Sequence, residues 1–218
     1  MTRRDCIALA AVLAGVGLAA ASARAADTPR SAARERVILV VGDSLSAEYG
    51  LRRGSGWVAL LEQRLAAERI AARVVNASIS GDTTSGGRSR LDALLAQHKP
   101  THLLIELGGN DALRGLPLSM TRDNLAHMAR QGKAAGARVM LLGMQVPPNY
   151  GTAYTRDFAQ GFDAVAAQTG SALVPFLLQG IADTPDALRW FQPDRIHPNE
   201  SAQPRMLDNV WPVLRKLL

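Results

Sequence analysis

With 218 residues, 47% of them hydrophobic and only 5% aromatic, the chain has the apolar content for one domain's core and too few aromatics for a strand-rich sandwich. The net charge of +6 is spread along the chain without a basic block interleaved with aromatics, which argues against a nucleic-acid partner. Past the amino terminus no apolar run is long enough to span a bilayer, so no stable membrane insertion is expected of the protein's body.

Arg3 and Arg4 precede an unbroken run of apolar and small residues, Ile7 to Ala21, and Ala23-Arg24-Ala25 puts small residues where a signal peptidase reads them. Residues 1–25 therefore read as a cleaved secretory signal peptide, which predicts a periplasmic or secreted protein. Thr2-Arg3-Arg4 also hints at twin-arginine export, but Cys6 stands where that signal usually carries a large apolar residue, so both export routes stay open. Cleavage would remove Cys6, the only cysteine, and with it any disulfide or thiol nucleophile. It would also lower the net charge to about +4, since Arg3, Arg4, Arg24 and Asp5 leave together. Residues 26–35 read as a leader, and 36–218 as the domain.

Two hydrophobic periods then alternate. Val37 to Val41 is a β-branched run ending at Gly42, which suits a strand buried on both faces. Trp57, Leu60, Leu61 and Leu65 follow at helical spacing. Val74-Val75 predicts a second strand, and Leu91, Leu94 and Leu95 a helix ended by Pro100. Leu103 to Ile105 is a third strand, Leu118 to about Lys133 a long helix, and Val139 to Leu142 a fourth strand. Phe158 to Gln168 predicts a helix and Ala172 to Val174 a fifth strand, with a last helix from about Ala202, bent near Pro212. Strands alternating with helices imply right-handed crossovers and hence a three-layer α/β/α sandwich around a mostly parallel five-stranded sheet. Ligands bind such sheets beyond the carboxyl ends of the strands.

The least ordinary residues fall at those ends. Gly42-Asp43-Ser44-Leu45-Ser46 follows the first strand; Gly42 permits a sharp turn, and Ser44 would lie near a helix amino terminus with its N–H toward a developing oxyanion. The same residues also make an ordinary turn. After the second strand, Gly81 lets a substrate oxygen approach a backbone N–H. Gly108-Gly109-Asn110-Asp111 follows the third strand, and the Asn110 amide is either a donor into a site or a helix cap. Before the last helix, Asp194 stands three residues ahead of His197, where it can hold the His Nδ1–H and leave Nε2 free to take a serine proton. A polar surface loop is the plain alternative. A metal is disfavoured, because Asp194 and His197 lack companion ligands and His98 and His102 sit toward the opposite end of the sheet. Pro147, Pro148 and Tyr150 form a stiff apolar rim after the fourth strand, either a wall for the apolar part of a ligand or a plain connecting loop.

Taken in order, Gly42 to Ala47, Glu106 to Asp111, Val146 to Gly151 and Ile196 to Asn199 resemble the SGNH (GDSL-type) hydrolase family, which is flavodoxin-like in fold. The likeness is greatest to the bacterial periplasmic thioesterase I, lysophospholipase L1 and arylesterase group. It implies a cofactor-independent serine esterase or thioesterase with Ser44 as nucleophile, His197 as base and Asp194 as its partner. It also implies an oxyanion hole of the Ser44 and Gly81 N–H groups and the Asn110 side chain. Asp43, Leu45, Asp111, Pro147, Tyr150 and Ile196 are expected to contact a small acyl ester or thioester, with a carbohydrate acetyl ester as the alternative substrate. A non-catalytic protein binding an anion with the same loops is the competing class, although it leaves the Asp194/His197 pair idle. Glu48 and Arg195 depart from the pattern, standing where the group often has a small residue and glycine; both bear on rim charge and substrate preference.

Overall fold

The computed structural model describes residues 35–218; the expected signal segment 1–25 and all of the leader except Glu35 lie outside the described residues. Five strands, β1 (Arg36–Gly42), β2 (Ala72–Asn76), β3 (His102–Glu106), β4 (Arg138–Leu142) and β5 (Ala172–Val174), pair in parallel in the order β2-β1-β3-β4-β5. β1 and β3 are the most deeply buried because helices cover both of their faces, whereas edge strand β2 remains partly exposed. Sheet order reverses direction between β1 and β3, so the loops leaving these two strands diverge and open a crevice at their carboxyl ends.

The helices are α1 (Trp57–Ala67), α2 (Thr84–His98), α3 (Gly109–Leu113), α4 (Leu118–Ala134), α5 (Thr152–Thr169) and α6 (Gln203–Arg215). α1 packs against α6, while α2, α4 and α5 form a contiguous row, giving the three layers around the sheet. On α1 the buried residues are Trp57, Val58, Leu61 and Leu65, a stripe at helical spacing, and the Trp57 N–H donates to Gln203 Oε1 of α6 at 3.0 Å. Burying a side chain such as Leu61 contributes roughly 1.5–3 kcal/mol, so the stripes set which face of each helix meets the sheet.

Three local expectations change. Gly109 to Leu113 is a one-turn helix and not only a tight turn, because Ala112 and Asp111 are buried on it. α5 starts at Thr152, six residues before its apolar pattern becomes readable at Phe158, since most of its first turns face water. No regular helix follows β1 directly: residues 44–50 are consecutive turns, closed by Ala47 N–H to Asp43 O at 2.9 Å. α6 runs on through Pro212. Among the described residues, no helix is long and apolar enough to cross a membrane.

Candidate active site

The carboxyl end of β1 presents Ser44, and the loop before α6 returns His197 to it. The Ser44 hydroxyl donates to His197 Nε2 at 2.9 Å, and His197 Nδ1–H donates to Asp194 Oδ2 at 2.6 Å. A carboxylate can only accept, so Asp194 places the ring proton on Nδ1 and leaves Nε2 basic toward the serine. Asp194 is itself fixed by its own loop, Oδ1 accepting from the N–H groups of Ile196 (2.9 Å) and His197 (3.0 Å). Burial pushes this carboxyl up, but the His197 ring bond and those two amide bonds outweigh it and hold it at about 2.

The loop that carries the pair is a closed hairpin. Phe191 and Pro198 bridge antiparallel, and Gln192 N–H donates to His197 O at 2.8 Å. At its tip Arg195 takes a φ of 60°. That is the left-handed region a side chain enters at a cost of roughly 1–2 kcal/mol, which explains why glycine suits this position. Glu48 also has a φ of 60°, and its carboxylate accepts from the N–H groups of Gly54 (3.0 Å) and Gly56 (2.8 Å), organising the entry to α1. Glu48 is thus a loop staple rather than a free charge on the rim.

The three expected oxyanion donors differ in how they are engaged. Neither the Ser44 nor the Gly81 N–H finds a hydrogen-bond partner among the described residues. Gly81 has a φ of 79°, which lets the turn after β2 present its backbone. Asn110, in the first turn of α3, spends one Nδ2 hydrogen on Asp43 Oδ2 at 3.0 Å, and the other has no acceptor among the described residues.

Two expected substrate contacts lie elsewhere. Asp43 is buried beneath the nucleophile, where Oδ1 accepts from Leu45 N–H at 3.0 Å and Oδ2 from Asn110. Burial pushes it up to about 6, against the lowering effect of those bonds. Asp111 is fully buried and accepts from the N–H (2.9 Å) and hydroxyl (2.5 Å) of Thr84 and from Thr121 (3.3 Å), so it anchors the start of α2 instead of meeting a ligand. Leu45 is half-buried against the core. Pro147, Tyr150 and Ile196 are exposed, with Tyr150 stacked on Tyr154 at 6.1 Å.

Three residues at the site were given no role by the sequence. The Tyr49 ring lies 4.3 Å from the His197 ring and stays half exposed. Gln192 Nε2 donates to Tyr49 O at 2.8 Å and Pro198 O at 3.1 Å, tying the nucleophile loop to the histidine loop. Glu106, the last residue of β3, is fully buried under Ser46. An aromatic five residues beyond the serine was the one available signal. With Ile79, Leu113, Tyr150 and Ile196, Tyr49 leaves large apolar side chains in water on the segments that follow β1, β2, β3 and β4 and on the histidine loop. His98 and His102 sit at the other end of β3, and among the described residues no three His, Cys, Asp or Glu side chains converge as a metal would require.

Residues 40–203 match the GDSL-like lipase/acylhydrolase family. The chain is 54% identical over 186 residues to the esterase TesA of Pseudomonas aeruginosa, covering 85% of this chain and 91% of that one. It is 41% identical over 191 residues to thioesterase 1/protease 1/lysophospholipase L1 of Escherichia coli K12, covering 88% of each. Among solved structures, the psychrotrophic esterase EstA of a Pseudoalteromonas species, inhibited by monoethylphosphonate, superposes with a TM-score of 0.77 at 42% identity, covering 83% of this chain and 97% of that one.

Proposed function

The chain belongs to the GDSL-like lipase/acylhydrolase family and is a carboxylic ester hydrolase, and from that premise we propose that Ser44 forms its acyl-enzyme with His197 as base and Asp194 as orienting partner. The observation that carries this is the continuous chain Ser44 Oγ, His197 Nε2, His197 Nδ1, Asp194 Oδ2 at 2.9 and 2.6 Å. Ser44 Oγ attacks the acyl carbon as its proton passes to Nε2, and Asp194 stabilises the resulting imidazolium. The oxyanion forms among the Ser44 and Gly81 N–H groups and the free Asn110 Nδ2 hydrogen, donors oriented before the charge develops. His197 then protonates the leaving alkoxide or thiolate, and water repeats the sequence on the acyl-enzyme.

The substrates are short- to medium-chain acyl esters, aryl esters and thioesters, with lysophospholipids as a further candidate. The exposed apolar residues Ile79, Leu113 and Ile196 on the segments after β2 and β3 and on the histidine loop support acyl chains over acetylated carbohydrate, because these side chains offer apolar surface and no polar donor. The Ile7–Ala21 run and the Ala23-Arg24-Ala25 site support export, and so a periplasmic or secreted enzyme.

The test is hydrolysis of p-nitrophenyl esters from acetyl to palmitoyl by wild type and Ser44→Ala, with mass spectrometry after an organophosphonate. Turnover lost in Ser44→Ala, with the label on Ser44, is expected. Equal turnover in both proteins would overturn the assignment.

A further inference from the structure

Glu106 sits where a carboxylate should not. Its side chain is fully buried, and no salt bridge reaches it among the described residues. Oε2 accepts from the Ser46 hydroxyl at 2.7 Å and from Asp43 N–H at 3.3 Å, and Ser46 Oγ in turn accepts from Trp57 Nε1–H at 3.2 Å. Oε1 has no donor. Asp43 is its immediate neighbour: the Asp43 N–H reaches the same carboxylate at 3.3 Å, and the two buried side-chain carboxyls act on each other. Two buried carboxylates in contact cannot both ionise, and an orphaned buried oxygen beside a second carboxyl is resolved if that oxygen carries the proton. Burial pushes Glu106 well above the usual carboxylate range, with the Asp43 charge adding to it, while the His197 ring lowers Asp43. Of the other charged groups around the pair, Arg90 of α2 is spent on Asp82 and the Ala77 carbonyl and comes toward the pair only through the Gly42 carbonyl at 3.5 Å, and Asp111 of α3 is held by Thr84.

A second observation marks this as a built arrangement. A Cβ on Gly42 would come within 2.8 Å of Glu106 Oε2 and 2.9 Å of Ser46 Oγ. The Gly42 φ is not positive, so glycine is required here for space and not for the turn. The glycine of the Gly42-Asp43-Ser44 motif makes room for the Glu106–Ser46 hydrogen bond.

We propose that Glu106 is a positioning residue for ester hydrolysis, donating a hydrogen bond as the neutral acid to Asp43 and through Asp43 holding the Asn110 amide at the oxyanion. Asp43 then carries the negative charge, and three donors fix it: Leu45 N–H, Asn110 Nδ2 and the Glu106 hydroxyl. Asn110 cannot swing away from the serine without stripping a buried carboxylate of one of them. This inference rests on the oxyanion role given to Asn110.

Glu106→Gln keeps both functions, since its amide can donate to Asp43 and accept from Ser46; Glu106→Leu keeps the bulk and neither bond. Expected is a Glu106→Gln enzyme within ~3-fold of wild-type kcat, and a Glu106→Leu enzyme slowed ~10-fold or more with little change in KM, the signature of a lost transition-state interaction. In an Asn110→Ala background the leucine substitution should slow turnover little further, because both act through one amide. Infrared spectra at neutral pH should contain a buried protonated-carboxyl band in wild type that Glu106→Gln lacks. A Glu106→Gln enzyme of wild-type stability but Leu-like turnover, additive effects in the double variant, or a missing carboxyl band would overturn the proposal. Should Glu106→Leu fail to fold, Glu106→Gln and the infrared band decide alone. Unchanged turnover in Asn110→Ala would instead sink the oxyanion reading itself, so the two failures are distinguishable.

Discussion

Asn110→Ala tests the most consequential geometry of the site because it should damage rate and stability through different hydrogens of one amide. One Nδ2 hydrogen bonds Asp43 Oδ2 at 3.0 Å, and the other is left for the oxyanion. Losing the second removes a preorganised donor, worth about 3 kcal/mol of transition-state stabilisation, or about a hundredfold in kcat. Losing the first strips a buried carboxyl of one of its bonds, which should lower folding stability by about 1–3 kcal/mol. Because the Asn110 bond also lowers Asp43, the carboxyl should shift further up in the variant. KM should barely move, since the ground-state carbonyl draws little on the donor. Steady-state hydrolysis of p-nitrophenyl butyrate gives the rate, and urea unfolding gives the stability. A variant with kcat within twofold of wild type would refute the oxyanion role; one that is slow but fully stable would refute the Asp43 contact.

Asp194→Asn should leave the fold intact yet lower kcat by about 10⁴, because an amide no longer enforces the Nδ1–H tautomer, and retained turnover in single-turnover assays would exclude the triad. Asp43 has the opposite linkage to a salt-bridged acid. Its folded pKa of about 6 lies above the ordinary value of 3.8, so the folded state holds the extra proton between them, and this group's contribution makes stability fall as pH rises from about 4 to 6. Urea midpoints across that range should show the slope in wild type and lose it in Asp43→Asn; an identical slope in both would contradict the buried position of the carboxyl. Arg195→Gly should be neutral to stabilising, by up to about 1 kcal/mol, and Arg195→Val clearly destabilising in thermal melts, since only the former relieves the left-handed backbone. A stabilised valine variant would argue against that conformation.

The sequence by itself determined the architecture, because strand and helix periods are local and alternate cleanly from Val37 to Leu218. It also singled out Ser44, Gly81, Asn110, Asp194 and His197, since each stands at a strand's carboxyl end or just before the last helix, and a parallel sheet of order β2-β1-β3-β4-β5 gathers such segments at one edge. The early start of α5 and the short α3 were not legible, because neither has an apolar stripe long enough to show a period. Which way a side chain points was decided only by the tertiary structure. Asp43 and Asp111 neighbour functional residues in the chain, yet both turn into the interior, one toward Asn110 and the other toward Thr84. Tyr49, Gln192 and Glu106 matter through partners 148, 143 and 60 residues away, respectively His197, Tyr49 and Ser46. Contacts of that separation leave no periodic trace: they exist only once the sheet has brought the loops together, and burial then sets the charge and direction of each group.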